Sequence, residues 1–190
     1  MTFFNYRALL GLSLSLFLAV TLAACSSTPT ATMDFNPGVD FSAVRKIAIQ
    51  PIKRTVASQA VLSDMQISRV NESLTAELGR RGFQVVPNSA DADMLLAWHL
   101  VTQERTDVRT FNNTTRYNCW NCRGMGSGTN VSVRQYTQGT FIVDMIDPVG
   151  LQAVWRSVFE SRMRDHSDPA RAAEARDAAV AAALAEFPPK

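Results

Sequence analysis

Apolar residues change their period several times along the chain, and each change predicts an element. Residues 8–24 form a charge-free, predominantly apolar run that ends in the small residues Ala23 and Ala24 before Cys25. A strand-like run from Lys46 to Ile52 follows an Asn36-Pro37-Gly38 turn signal and is stopped by Pro51. The period then lengthens to that of a helix, with Ile67, Val70, Leu74 and Leu78 on one face. Ser63 and Gln66 have capping-box spacing at its start, Arg80 and Arg81 suit its last turn, and Gly82 can supply a left-handed cap. "FQVVP" returns to a short strand.

The next strand is asymmetric along its length. Met94 to Val101 is too apolar for a strand with one wet face, whereas Thr102 onward is polar, so its inner end is expected to be buried on both sides and its outer end to project into water. A matching strand is expected from Ser132 through "YTQGTFIVDMID", and a third over "LQAVWRSVFESRM", the two joined by an Asp147-Pro148-Val149-Gly150 turn. The closing segment "SDPARAAEARDAAVAAALAEFPPK" predicts a helix capped by Asp168, with Pro169 at its first position and Val180, Leu184 and Phe187 on one side of a small alanine face. The order is strand, helix, four strands, helix. It predicts an α+β two-layer sandwich: a mostly antiparallel sheet of about five strands with two helices on one face.

Compartment follows from the first line of the sequence. One basic residue, Arg7, precedes the apolar run, and small residues close it, which is the layout of a secretory signal rather than of a fold element. The closing "LAAC" resembles the bacterial lipobox, where cleavage leaves the cysteine as the first mature residue with its sulfur alkylated. Cys25 is thus the expected lipid attachment site, and the charge-free stretch Ser26 to Thr32 suits a tether. In the lipoproteins it resembles, a residue like Ser26 after the cysteine permits sorting to the outer membrane. The expected division is a signal peptide over 1–24, a lipidated tether over 25–33 and one α+β domain over 34–190. That remainder is long enough for one domain with a core and too short for two.

Charge excludes one class of partner. The formal charge of +2 falls to +1 when Arg7 leaves with the signal, so nothing electrostatic favours nucleic acid. Neither Arg45-Lys46 nor Arg80-Arg81 amounts to a patch. The expected partners are the membrane, through the lipid, and an envelope protein or a second copy of the chain.

Candidate chemistry centres on Cys119 and Cys122 in "NCWNCRGMGSGTN". A thioredoxin-like pair needs a helix N-terminus to lower a thiol pKa, and neither flank begins a helix with conviction. A disulfide closing a loop tip is the plainer reading in an oxidising compartment, and thiol-disulfide exchange is the alternative. Zinc would need about four ligands, and His99 and His166 sit on separate elements, so no metal or cofactor is expected. His99, within an apolar strand, reads as a hydrogen-bonded structural histidine. Asp91 and Asp93 read as turn and cap residues. Asp144 interrupts "TFIVDMI" and must be paired if buried; Arg156 in the adjoining hairpin strand is its expected ion-pair partner. Small-ligand binding beneath the Gly-rich loop is a further alternative.

Four segments together resemble one family: "MDFNPGVDFSAVRKIAIQP", "LTAELGRRGFQVVPNSADADMLLAWHL", "YTQGTFIVDMIDPVGLQAVWRS" and the Ala-rich helix. They look like the bacterial lipoproteins that carry domain of unknown function 4136, over nearly the whole mature chain. The resemblance implies an α+β lipoprotein of the cell envelope; the expected role is non-enzymatic, structural or partner-docking, on the periplasmic side of the outer membrane. It carries over no catalytic residue. The two loop cysteines depart from the family pattern, which has a variable Gly- and Tyr-rich loop there.

Overall fold

A computed structural model describes residues 30–52, 62–113, 128–164 and 166–189. Its strands are β1 (Thr32–Phe35), β2 (Lys46–Ile49), β3 (Gln84–Val85), β4 (Met94–Asn113), β5 (Gly128–Ile146) and β6 (Ala153–Arg162), with helices α1 (Asp64–Arg80) and α2 (Pro169–Ala183). They form one six-stranded mixed sheet in the order β1-β6-β5-β4-β2-β3. β2 pairs in parallel with β3 and β4, and the other pairings are antiparallel. The α+β architecture is the expected one.

Two differences from the expectation concern strand ends. The sheet has an additional edge strand, β1, paired with β6 from Thr32 opposite Val158 to Phe35 opposite Trp155. Its first two residues, Thr32 and Met33, lie in the segment assigned above to a tether over 25–33, so the domain begins earlier than residue 34. β5 likewise starts at Gly128 rather than Ser132.

Local chemistry sets the helix ends. Ser63 Oγ accepts from Gln66 N at 3.3 Å while Gln66 Oε1 accepts from Ser63 N at 2.9 Å, a complete capping box. At the other end Gly82, with φ +89°, lets Phe83 N donate to Leu78 O at 3.0 Å, so carbonyls of the last turn are satisfied. Asp168 caps α2 through Ala170 N at 2.9 Å. Both helices pack on one side of the sheet. There Leu74, Leu78, Val180 and Leu184 join Ile47, Leu96, Trp98, Val143, Met145, Trp155 and Phe187 in one core. Each fully buried side chain of this size contributes about 1.5–3 kcal/mol. Among the described residues the core runs from Ala31 to Phe187, so a chain beginning at Thr30 keeps all of it.

Polar contacts fix how the helices sit. Trp98 Nε1 donates to Asn71 Oδ1 at 2.9 Å, tying β4 to α1, and Arg176 Nε donates to Ser73 Oγ at 2.8 Å, tying α2 to α1. Glu77 is buried on α1 and pairs with Arg80 and Arg81, each at 2.7 Å. Arg81 also donates to the carbonyls of Ala185 and Phe187, which locks the end of the chain against the end of α1.

Candidate functional site

The helices cover one sheet face, so a binding surface is sought on the other face and on whatever extends past the helices. Alternation along each strand assigns the faces. Val143, Trp155 and Phe159, the apolar residues of β5 and β6 that could have faced outward, all lie in the core under the helices. The open face instead carries Ala97, His99 and Val101 from β4, Thr140, Ile142 and Asp144 from β5, and Arg156, Val158 and Glu160 from β6. Most of these apolar side chains are half-buried rather than exposed. A small satellite core of Ala48, Val86 and Leu95 fills the β3 end of the same face.

Asp144 and Arg156 are brought together in the middle of this face. Arg156 Nε donates to Asp144 Oδ1 at 2.6 Å and its Nη2 to Oδ2 at 2.9 Å, a bidentate pair between directly opposed residues. The Asp144 side chain is 7% exposed and that of Arg156 56%, so the pair is a buried carboxylate gripped by a cation that faces water. The hydrogen bonds that Arg156 donates to Asp144, and then the aspartate charge, raise the Arg156 guanidinium above its ordinary value against a smaller opposing effect of burial. On the far side Asp34 of β1 is in register with Arg156, so the row reads Asp144, Arg156, Asp34 across three strands. Two N–H groups of Arg156 are committed to Asp144, and the other three of its five remain for a ligand or partner.

Other expected residues take structural posts. Asp93 Oδ2 accepts from Lys46 N at 2.8 Å and Arg45 N at 2.9 Å, so the first residues of β2 hang on the approach to β4. Those bonds, Lys46 first, hold the Asp93 carboxyl below its ordinary range. Asp91 accepts from Asn88 Nδ2 within its turn. His99 is half-buried on the open face opposite Ile142. His166 is exposed beyond β6. Cys25, Cys119 and Cys122 lie outside the described residues. Among the described residues, no group of three His, Cys, Asp or Glu side chains is placed to hold a metal, and no helix is long and apolar enough to cross a membrane. A cleft of about 340 Å³ lies between the end of β2 and the first half of α1, lined by Ile49, Pro51, Ile52, Ile67 and Asn71 among others.

The feature that sequence reasoning did not assemble is a two-faced ribbon. β6 stops pairing with β5 at Gln138 opposite Arg162, yet β4 and β5 continue together to Asn113 opposite Gly128. From Glu104 opposite Thr137 outward they form a two-stranded ribbon of ten residue pairs, roughly 33 Å long. On the side continuous with the open face stand Arg105, Asp107, Arg109, Arg134 and Tyr136, with Arg162 of β6 at the base. Asp107 is shared by Arg109 and Arg162 at 3.3 and 3.5 Å, and the Arg162 guanidinium sits 4.0 Å from the centre of the Tyr136 ring. Neither Arg105 nor Arg134 has an ion-pair partner among the described residues. On the opposite side, beyond Glu104 and Thr137 at the base, are Thr106, Val108, Thr110, Val131, Val133 and Gln135, all uncharged. Val108, Val131 and Val133 are 58%, 58% and 59% exposed.

Comparison with known proteins adds the following. The family model described as "Domain of unknown function (DUF4136)" matches residues 31–189. No curated protein matches in sequence. Among solved structures, a PDZ domain protein from Parabacteroides distasonis superposes with TM-score 0.53 at 14% identity, over 86% of this chain and 36% of that one. This chain therefore spans about a third of the length of that protein, and the likeness shows the fold alone. A DUF4136 family protein from Bacteroides thetaiotaomicron gives TM-score 0.44 at 11% identity, over 85% of this chain and 95% of that one. A PelC dodecamer from Paraburkholderia phytofirmans gives 0.42 at 14% identity, over 82% of this chain and 95% of that one.

Proposed function

The chain belongs to the DUF4136 family, and on that premise we propose that it is a lipid-anchored protein of the bacterial cell envelope that acts by docking rather than by catalysis. The observation that carries this reading is the sequence from Ala8 to Cys25: an apolar run, two alanines, and a cysteine followed by an uncharged stretch. Cys25 is the lipid attachment site, and a residue like Ser26 favours the outer membrane, with the domain on the periplasmic side. A docking role is supported by the open sheet face, where Arg156 is held rigidly by Asp144 yet keeps donors free toward solvent. A guanidinium fixed in this way loses little side-chain freedom when a carboxylate or carbonyl of a partner binds it.

The test is metabolic labelling with a palmitate analogue. Label is expected in the wild-type chain and absent from Cys25→Ser, and the labelled protein is expected to fractionate with the outer membrane. Label in Cys25→Ser, or none in the wild type, would remove the anchor. Cross-linking in cells then reads the docking role: a partner or a second copy is expected with wild type, and loss of the product in Arg156→Gln.

A further inference from the structure

We propose that the β4–β5 ribbon is a membrane-contacting element that lies on an anionic lipid surface with Val108, Val131 and Val133 directed into it. The proposal rests on the lipid-anchor reading above for the direction of the membrane, and on the ribbon's own chemistry for the contact.

Chain geometry supplies the direction. β6 runs toward the ribbon and β1 runs antiparallel to it, so β1 begins at its ribbon-side end, where Thr32 lies in the row Val158, Ile142, His99. The chain leading back to Cys25 therefore leaves the domain on the side from which the ribbon projects. Thr32 lies seven positions after Cys25, and fully extended that stretch reaches at most about 25 Å. From the level of His99 to Asn113, β4 runs a further fourteen residues, about 46 Å. The ribbon is thus longer than the tether. A cysteine held at the lipid surface keeps the domain within that reach, so with the ribbon-side end turned to the membrane the outer part, from about Asp107 onward, lies along the surface or enters it.

The ribbon's two faces suit the first option. Thr106 to Thr110 and Val131 to Gln135 place no charge on the valine side, while Arg105, Arg109 and Arg134 against Asp107 give the other side a formal +2. An interfacial amphipathic element buries its apolar face about 5–10 Å into the boundary between headgroups and acyl chains. A two-stranded ribbon is about that thick. With its valines at the boundary, the arginines on the opposite side sit within the headgroup layer, and their long stems let the guanidinium groups reach phosphates. Deeper insertion is excluded, because both ribbon edges carry unpaired backbone N–H and C=O groups that need water or headgroups.

The test uses the domain from Thr30 onward, which keeps the whole core and carries no lipid, sedimented with vesicles of phosphatidylcholine alone or with phosphatidylglycerol added. Binding is expected only to the anionic vesicles and is expected to weaken as salt is raised. Val108→Thr/Val131→Thr/Val133→Thr keeps β-branched side chains and hence the strands, and is expected to weaken binding at least about tenfold. Arg105→Gln/Arg109→Gln/Arg134→Gln is expected to remove the preference for anionic lipid. No sedimentation of the wild-type domain at low salt, or equal binding by the threonine variant, overturns the proposal. A concentration-dependent dimer that the threonine variant abolishes, without vesicle binding, overturns it in favour of a second copy of the chain. Because the domain lacks Cys25, these outcomes do not depend on palmitate labelling, and failure of either reading is distinguishable from failure of the other.

Discussion

Arg156 grips both carboxylate oxygens of Asp144 from the neighbouring strand, at 2.6 and 2.9 Å, but only the aspartate is buried. The two ends of the pair should therefore not be equivalent. Removing the arginine leaves a charged carboxylate without its partner in a dry position, whereas removing the aspartate charge leaves a guanidinium already in water. Arg156→Gln is expected to cost about 1–3 kcal/mol and Asp144→Asn about half of that, the exposed arginine keeping both figures low. Urea denaturation of the two single variants and the double variant measures the asymmetry and the coupling. Equal losses would mean that the pair behaves as an ordinary surface ion pair.

Asp93 gives the fold a sensitivity to acid. Its carboxyl is held below the ordinary value of 3.8 by hydrogen bonds from Lys46 N and Arg45 N. A carboxyl whose pKa is lower folded than unfolded binds fewer protons in the folded state, so its contribution is complete above the unfolded value and is lost as pH falls through the folded one. Asp40, held down first by the Ser42 hydroxyl and then by Ser42 N, has the same sign. Urea midpoints of wild type and Asp93→Asn are expected to differ at pH 7 and to converge as pH falls below about 3.8, the ordinary value. A constant difference across that range would show that the amide satisfies the same two backbone donors equally well.

Much of this was legible because local and long-range signals agree. Ser63, Gln66 and Gly82 mark the ends of α1 by chemistry that operates within a few residues, and Leu74 and Leu78 mark its buried face by spacing. The edge strand β1 was not legible, since "TMDF" is four residues long and follows a polar stretch, and its pairing with β6 depends on residues more than a hundred positions away. The ribbon's arginines were hidden for a related reason. Arg105, Arg109, Arg134 and Arg162 stand singly in three strands, and only the register of β4, β5 and β6 gathers them. The side taken by Trp155 could not be read either, because an irregularity between Met145 and Ile146 shifts the β5–β6 pairing just before it.

In the sequence Glu77, three and four residues before arginines, has the spacing of a solvated helix pair. In the fold it is buried and holds Arg81 where that side chain also reaches the carbonyls of Ala185 and Phe187. Glu77→Ala is expected to cost about 2–4 kcal/mol, more than an exposed helix pair, because Arg81 loses its orientation and the end of the chain its clamp. Thermal melting checks the loss, and hydrogen exchange should place the loosening at residues 184–187. Protection unchanged there would mean that packing of Phe187 alone holds the terminus.

Ser157 makes the opposite prediction. Its side chain stands in the core between Met33 and Val143 at 1% exposure, and its Oγ has no hydrogen-bond partner among the described residues. A buried hydroxyl without a partner keeps its desolvation cost, about 1–3 kcal/mol, and returns nothing for it. Ser157→Ala removes the hydroxyl and leaves a void of one oxygen, so the variant is expected to be as stable as wild type or about 1 kcal/mol more stable. The urea midpoint decides it.

Cys119 and Cys122 separate the docking reading from thiol chemistry. Two residues lie between them, and a periplasmic location would keep structural pairs oxidised. A pair that only closes a loop gains nothing from being reducible, so its potential is expected below about −300 mV when titrated by thiol labelling against glutathione. A thiol-exchange protein must instead cycle, which requires a potential nearer about −120 to −200 mV and a thiolate stabilised by its surroundings. Arg116 and Arg123 are the nearby cations in sequence that could supply that stabilisation. A high potential that falls when Arg123 is changed to glutamine would therefore move catalysis to the front, whereas a low potential indifferent to Arg123 leaves docking as the role of the domain.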